Sequence, residues 1–207
     1  MCRSFFIQES NQALEFIANE AENTPLMNRF VKKAANPLVK SGEVVPTNLV
    51  PVLATMRKGG LGAFPMRWGF NVEGRKVPLI NARSESTAEK PAFQEAWAKH
   101  RCIIPVSWYY EWAQVPSEDG RTSNSVKYAI QPANSTIAWL CGFYRIEDGL
   151  PCFILLTREA GPDFSFIHDR MPLILEERAA FSWIKPTETP EIFLPLALTK
   201  MVAEKAE

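Results

Sequence analysis

Cysteine occupies position 2, in MCRSFF, and the next cysteine is Cys102. A methionine ahead of so small a residue is ordinarily removed, so the expected mature chain begins at Cys2. An N-terminal cysteine carries two nucleophiles on adjacent carbons, an α-amine with a pKa of about 8 and a thiol of about 8.5. Together they capture an aldehyde: the amine condenses to an imine, and the thiol closes onto the same carbon as a thiazolidine. The plain alternative is a cysteine carried without purpose in a frayed terminus.

Three further stretches hold polar residues beside apolar runs. PLINARSES places Asn81 and Arg83 two positions apart, on one face of any strand that continues through them. An amide holds an amine or hydroxyl without titrating, and a guanidinium grips a phosphate through two parallel hydrogen bonds. A turn after a buried strand would favour the same residues. IIPVSWYYEW sets Glu111 among Trp108, Tyr109, Tyr110 and Trp112. Where such aromatics exclude water, a carboxyl favours its protonated form and suits proton transfer. On an edge strand it would instead point to solvent while the rings pack inward. FSFIHDRMPLIL puts His168 beside Asp169 and Arg170 just before an apolar run, where an imidazole can exchange a proton near neutrality or serve a structural role. His100, in AWAKHRC, reads as a solvated residue at a helix end.

The remaining composition narrows the classes. Cys102, Cys141 and Cys152 sit in RCIIPV, AWLCGF and PCFILL, contexts of buried, inert thiols. Four cysteines without a CxxC pair and two histidines give neither a zinc ligand set nor a secreted disulfide framework. No apolar run approaches the roughly 20 residues that span a bilayer, and no signal-peptide core is present, so an intracellular protein is expected. Lysine plus arginine and aspartate plus glutamate number 23 each. That balance excludes a generic nucleic-acid coat, whose affinity scales with cations presented to phosphate, but leaves room for a local basic groove.

Elements able to position these residues follow from periodicity. Leu14, Ile17, Ala18 and Ala21 predict a helix capped by Ser10, and Leu26 to Ala35 a second. Strands are expected at Glu43 to Leu53, Val77 to Ile80, Cys102 to Val106, Trp108 to Ala113, Lys127 to Ile130, Ile137 to Tyr144 and Cys152 to Thr157. Helices are expected at Pro91 to Lys99 and Glu176 to Trp183. Turn chemistry marks Lys58-Gly59-Gly60, Val72 to Arg75, Ser117 to Ser125 and Glu147 to Pro151. The fold class is α+β, a mainly antiparallel curved sheet or open β-barrel flanked by helices, in one domain over residues 1–207.

Taken in order, MC, PLINAR, CIIPVSWYYEW and IHDRMPLIL resemble the SOS-response-associated peptidase (SRAP) family, whose members capture abasic sites in single-stranded DNA through an N-terminal cysteine. The resemblance spans most of the chain. It implies that Cys2 is the covalent nucleophile, that Asn81 positions the reacting terminus and sugar, that Glu111 assists proton transfer, and that His168 acts on the ring-opened sugar. It also implies a response to DNA damage, phosphate contacts from Arg83 and Arg170, a monomer in the cytoplasm that joins the nucleoid on binding DNA, and no metal or organic cofactor. Arg3 and Arg67 are further candidates for a basic groove, with Trp68 as a surface for an unpaired base. The chain departs from the family pattern in three places. MCRSFF lacks the usual glycine after the cysteine, EVVP replaces an amide with Glu43, and WGFNVEGRK has no second tryptophan. The competing expectations are a non-catalytic single-strand binder and a thiol peptidase acting on peptide bonds or on its own leader.

Overall fold

The computed structural model describes residues 2–34, 37–116 and 123–206. The chain opens with strand β1 (Ser4–Ile7) and helices α1 (Gln12–Glu22) and α2 (Pro25–Ala34). Strands β2 (Gly42–Val44), β3 (Leu49–Thr55), β4 (Leu61–Trp68) and the short β5 (Asn81–Arg83) come next, followed by α3 (Ser84–Thr87) and α4 (Pro91–Lys99). The central run is β6 (Arg101–Val106), β7 (Trp108–Pro116), β8 (Ser123–Pro132), β9 (Ala138–Glu147) and β10 (Leu150–Glu159). Strands β11 (Arg170–Pro172) and β12 (Ile174–Leu175), helix α5 (Glu177–Trp183), a 3-10 segment at Pro190–Leu196 and strand β13 (Met201–Lys205) finish the chain.

The α+β class is as expected, and the curved sheet closes on itself. Strand β10 pairs with β4, β4 with β3, β3 with β6, β6 with β9, and β9 returns to β10, so five strands complete a barrel. Its parallel seam is β10 against β4; β5 also runs parallel to β10, and the other strand pairs are antiparallel. A second antiparallel sheet has the order β13-β8-β7-β1-β2. Strand β6 explains the closed design in miniature: Cys102, Ile104 and Val106 face one core and Ile103 the other. Alternate side chains point to opposite faces, so a strand buried on both sides reads as a continuous apolar run. Where β9 meets β10, a Cβ at Gly142 would come within 2.5 Å of the Ile154 carbonyl oxygen, so only glycine permits the approach.

Local chemistry accounts for most boundaries. Asn11, rather than Ser10, caps α1, its side-chain oxygen accepting from the backbone N–H of Ala13 and Leu14 at 3.1 and 3.3 Å. The strand expected from Glu43 to Leu53 is broken by a turn at Thr47, whose φ is 77°. Asp148 and Gly149 both take positive φ and form the tight β9–β10 hairpin turn. Val77 to Ile80 is not a full strand: Leu79 bridges Phe70, and regular pairing starts at Asn81. Residues 117–122 of the loop expected at Ser117 to Ser125, and Ala35 of the second helix, lie outside the described residues; Ser123 onward is strand. Arg101 is fully buried beneath α5 and donates to the carbonyls of Trp97, Ala98, Trp183, Lys185 and Glu188. Those bonds tie the end of α4 to the segment after α5 and satisfy five carbonyls with one cation.

Candidate functional site

Register brings the distant motifs together. Strand β1 runs antiparallel to β7 with Ser4 opposite Tyr110 and Phe5 opposite Tyr109, which sets the residues ahead of β1 beside Glu111 and Trp112. Strand β5 lies along β10 with Asn81 opposite Leu155. From there the Asn81 side-chain nitrogen donates to the Cys2 carbonyl oxygen at 2.8 Å. Since that bond commits Nδ2, Oδ1 faces the other way, and it is buried without a hydrogen-bond partner among the described residues. A buried acceptor of this kind favours an incoming N–H or O–H donor.

Cys2 is fully buried, packed in the same core as Phe5, Trp68 and Tyr109. Burial holds its thiol far above the ordinary thiol range, and the nearby Glu111 carboxylate pushes the same way; the terminal amine and the Ser4 backbone oppose both only in part. The sulfur is therefore a protonated thiol at neutral pH. Glu111 is 4 % exposed and Asn81 7 %.

In front of these residues opens a cleft of about 780 Å³, whose walls include Arg3, Arg75, Asn81, Glu111, Trp112 and His168. His168 sits on the turn leading into β11. The backbone N–H of Arg170 donates to its Nδ1 at 3.0 Å, while an Asp169 carboxylate oxygen lies 2.6 Å from the same nitrogen. A single nitrogen cannot accept the first and donate to the second at once. A ring with its proton on Nε2 accepts from Arg170, and one with a proton on Nδ1 faces the Asp169 carboxylate.

The structure thus brings Asn81, Glu111 and His168 to one cleft, with Cys2 directly behind Asn81. The arginines divide. Arg3 lines the cleft with its guanidinium 5.9 Å from the Trp112 ring centre, and Arg83 is exposed at the end of β5. Arg170 is instead buried in a two-pronged pair with Glu85, at 2.9 and 2.8 Å, and also donates to the Thr157 carbonyl. Arg67 pairs with Glu147 at 2.7 Å and donates to Cys152 Sγ, outside the cleft. These two guanidiniums are spent on internal partners rather than offered to phosphate. Trp68 is a correction: it is fully buried between Phe5 and Phe153, with ring centres at 4.9 and 6.3 Å. A ring sealed in the core between those two has no face for a base.

Among the cleft residues that sequence reasoning did not single out are Arg75 and Phe166. Arg75 lies in the glycine-containing turn Val72 to Arg75, which read only as a loop. Phe166 stands 62 % exposed on the cleft wall, its ring perpendicular to that of Tyr128 with centres 5.9 Å apart. Its signal was the apolar pair flanking Ser165 just ahead of His168, at a position where a solvated turn would carry polar residues. Glu43, the replaced amide, pairs with Lys127 at 3.0 Å, and Lys127 lies 3.8 Å over the Tyr110 ring. Among the described residues no group of three or more His, Cys, Asp or Glu is arranged to hold a metal ion, and no helix is long and apolar enough to cross a membrane.

The chain is thus an α+β protein of a β-barrel with a second sheet, in which a buried cysteine near the chain start lies behind a cleft lined by an amide, an acid and an imidazole. The SOS response associated peptidase (SRAP) family model matches residues 1–206, and the chain belongs to that family. It is 30% identical over 181 residues to the abasic site processing protein YoaM of Bacillus subtilis, covering 80% of this chain and 78% of that one. It is also 30% identical over 137 residues to the abasic site processing protein YedK of Escherichia coli, covering 65% and 60%. A crystal structure from Bacteroides thetaiotaomicron superposes with a TM-score of 0.72 at 20% identity, covering 98% of this chain and 92% of that one. A phage-related protein from Bordetella bronchiseptica gives 0.72 at 17% identity, covering 99% and 94%. At these identities the two structures speak for the fold.

Proposed function

We propose that this protein processes abasic sites in single-stranded DNA by capturing the ring-opened sugar as a thiazolidine on Cys2. The observation that carries the reading is the tie between Asn81 and the Cys2 carbonyl, with buried Glu111 beside the same residue. It supports a nucleophile held in place rather than a loose terminus.

Removal of Met1 frees the Cys2 α-amine. That amine attacks the aldehyde carbon and water leaves as the imine forms. The thiol then adds to the same carbon, its proton passing to the nitrogen, so aldehyde plus cysteine gives thiazolidine plus one water. Because burial keeps the sulfur protonated, the amine acts first, and thiol addition requires a proton acceptor. In this reading Glu111 carries that proton and His168 protonates the ring oxygen as the sugar opens, which the presence of both side chains on the cleft wall supports. Asn81 Oδ1 accepts from the amine or the sugar hydroxyl. Arg3 and Arg83, with Arg75, supply phosphate contacts on a chain with no net charge. The chain acts here as one SRAP-like domain.

The same buried thiol disfavours the peptidase reading, which relies on a ready thiolate. Incubation with an oligonucleotide bearing one abasic site separates the classes. The expected product resists denaturant and has the summed mass of protein lacking Met1 and DNA, less one water; Cys2→Ala should not form it. A complex that dissociates in denaturant would leave a simple binder, and an equally stable adduct with Cys2→Ala would remove Cys2 from its role.

A further inference from the structure

Away from the cleft, two hairpin tips and a helix enclose a second depression of about 680 Å³ that shares no residue with the first. Its floor is apolar: Leu26 of α2, Met56, Phe64, Met66 and Ile146, closed by Pro151, with Tyr144 at one side. Met56 and Ile146 stand 43 % and 60 % exposed there. Its rim is cationic, with Arg29, Arg57 and Lys58 and no aspartate or glutamate among the lining residues. At the edge Asp148 is offset by Lys33, which donates to the Asp148 carbonyl. A chain of zero net charge therefore concentrates three cations around one apolar trough.

We infer that this trough docks an acidic peptide segment carrying large apolar side chains, from a protein partner. Contiguous exposed apolar surface rimmed by charge is the form of a binding site rather than of ordinary surface. Methionines adapt to varied side chains, which suits a floor that receives them. The rim sets the sign: carboxylates flanking the anchors meet Arg29, Arg57 and Lys58, whereas a basic segment meets three like charges. Single-stranded DNA would need ring faces for its bases. Of the two rings in the lining, Tyr144 already stacks on His100 at 5.2 Å and Phe64 is half-buried, so the exposed floor is mainly Met56 and Ile146. The trough does not depend on the abasic-site reading, and its occupant would bring the protein to a larger assembly without competing for the cleft.

The test uses three probes: a fluorescein-labelled pool of roughly ten-residue peptides with Phe or Leu at two positions and Asp or Glu elsewhere, a matched pool with Lys for the acids, and oligothymidylate. Saturable binding is expected for the acidic pool alone, weakened about tenfold or more by Arg57→Glu with Lys58→Glu, by Ile146→Ser, and by added salt. The rate of adduct formation on an abasic oligonucleotide should be the same in all variants. Equal binding of the two pools, or acidic-pool binding indifferent to both variants, overturns the inference. Loss of oligothymidylate affinity in the double glutamate variant would reassign the trough to DNA. A concentration-dependent dimer that Ile146→Ser abolishes would reassign it to a second copy of the chain.

Discussion

The side-chain amide of Asn81 donates at 2.8 Å to the carbonyl of Cys2, a residue 79 positions earlier in the chain. One strand pairing aims the amide, because β5 lies in parallel register along β10; another aims the carbonyl, because β1 lies along β7. The bond therefore links the barrel to the second sheet at the point where the proposed nucleophile sits.

Replacing Asn81 by Ala leaves the Cys2 carbonyl buried without its donor and removes the acceptor Oδ1. A buried hydrogen bond is worth about 1 kcal/mol net, and the orphaned carbonyl adds roughly 1–3 kcal/mol. Adduct formation is expected to slow about tenfold or more, with oligonucleotide affinity little changed. Asn81→Asp should be at least as slow, since a carboxylate cannot donate to the carbonyl. Single-turnover rates measured beside equilibrium binding check the split; equal losses in both would assign Asn81 to DNA contact instead.

What was readable in the sequence was what local chemistry decides. RCIIPV and AWLCGF declare doubly buried strands, and PAFQEAWAK declares its helix from the proline at its first turn to the basic residue at its last. Strands β1 and β4 were missed because SFFI is short and LGAFPMRW carries both a proline and a glycine, so their strand state depends on partners. Barrel closure depends on β10 pairing with β4, a contact that periodicity within either strand does not encode. Asn81, Glu111 and His168 were legible because each stands out chemically from its apolar neighbours. The fate of their arginines was not: HDR reads as exposed, yet Glu85, on α3, supplies the carboxylate that buries Arg170.

That pair supports the imidazole, because the backbone of Arg170 holds His168 Nδ1. Burial raises the Glu85 carboxyl, but hydrogen bonds from Arg170 outweigh it and leave the group below its ordinary range. A carboxyl lowered on folding stabilises the protein above its unfolded value of about 4.3, and the contribution is lost as pH falls through the folded one. Glu85 is 46% exposed, so the stability share is small. The larger expectation concerns His168: Glu85→Gln should shift its imidazole resonances and slow adduct formation severalfold, with acid unfolding less steep than in the native protein. Unmoved imidazole signals would reduce the pair to a surface clasp.

Alkaline stability should report the buried thiols. Cys152 is pushed up to about 11 by burial, against the opposing pull of Arg67, and Cys2, Cys102 and Cys141 are raised as well. From about pH 8.5, where unfolded cysteines ionise, the folded chain binds more protons than the unfolded one, so stability falls as pH rises toward 11 and beyond. Urea midpoints are expected to drop over that window, and less steeply in Cys141→Ala. Iodoacetamide at pH 8 should label Cys2 slowly until the protein unfolds. Rapid labelling of the native protein would mean the sulfur reaches solvent, and the amine-first order would lose its basis.

With Trp68 sealed in the core, and Trp112 of the cleft wall half-buried with Arg3 near its face, the exposed ring on that wall is Phe166. The turn holding it is tightly bonded: Phe164 and Ser165 donate to the Gly161 carbonyl at 2.9 and 3.1 Å, and Ile167 to that of Phe164 at 2.9 Å. Buried Ile167 anchors the turn while Phe166 points outward. Stacking on an aromatic side chain is worth about 1–3 kcal/mol per base, or roughly 5- to 150-fold in affinity. Phe166→Ala should therefore weaken oligonucleotide binding within that range, Phe166→Trp should restore it, and capture of free 2-deoxyribose 5-phosphate, which has no base, should proceed alike in all three proteins. If the alanine variant slowed sugar-phosphate capture as much as DNA capture, Phe166 would be acting on the shape of the cleft and not on a base.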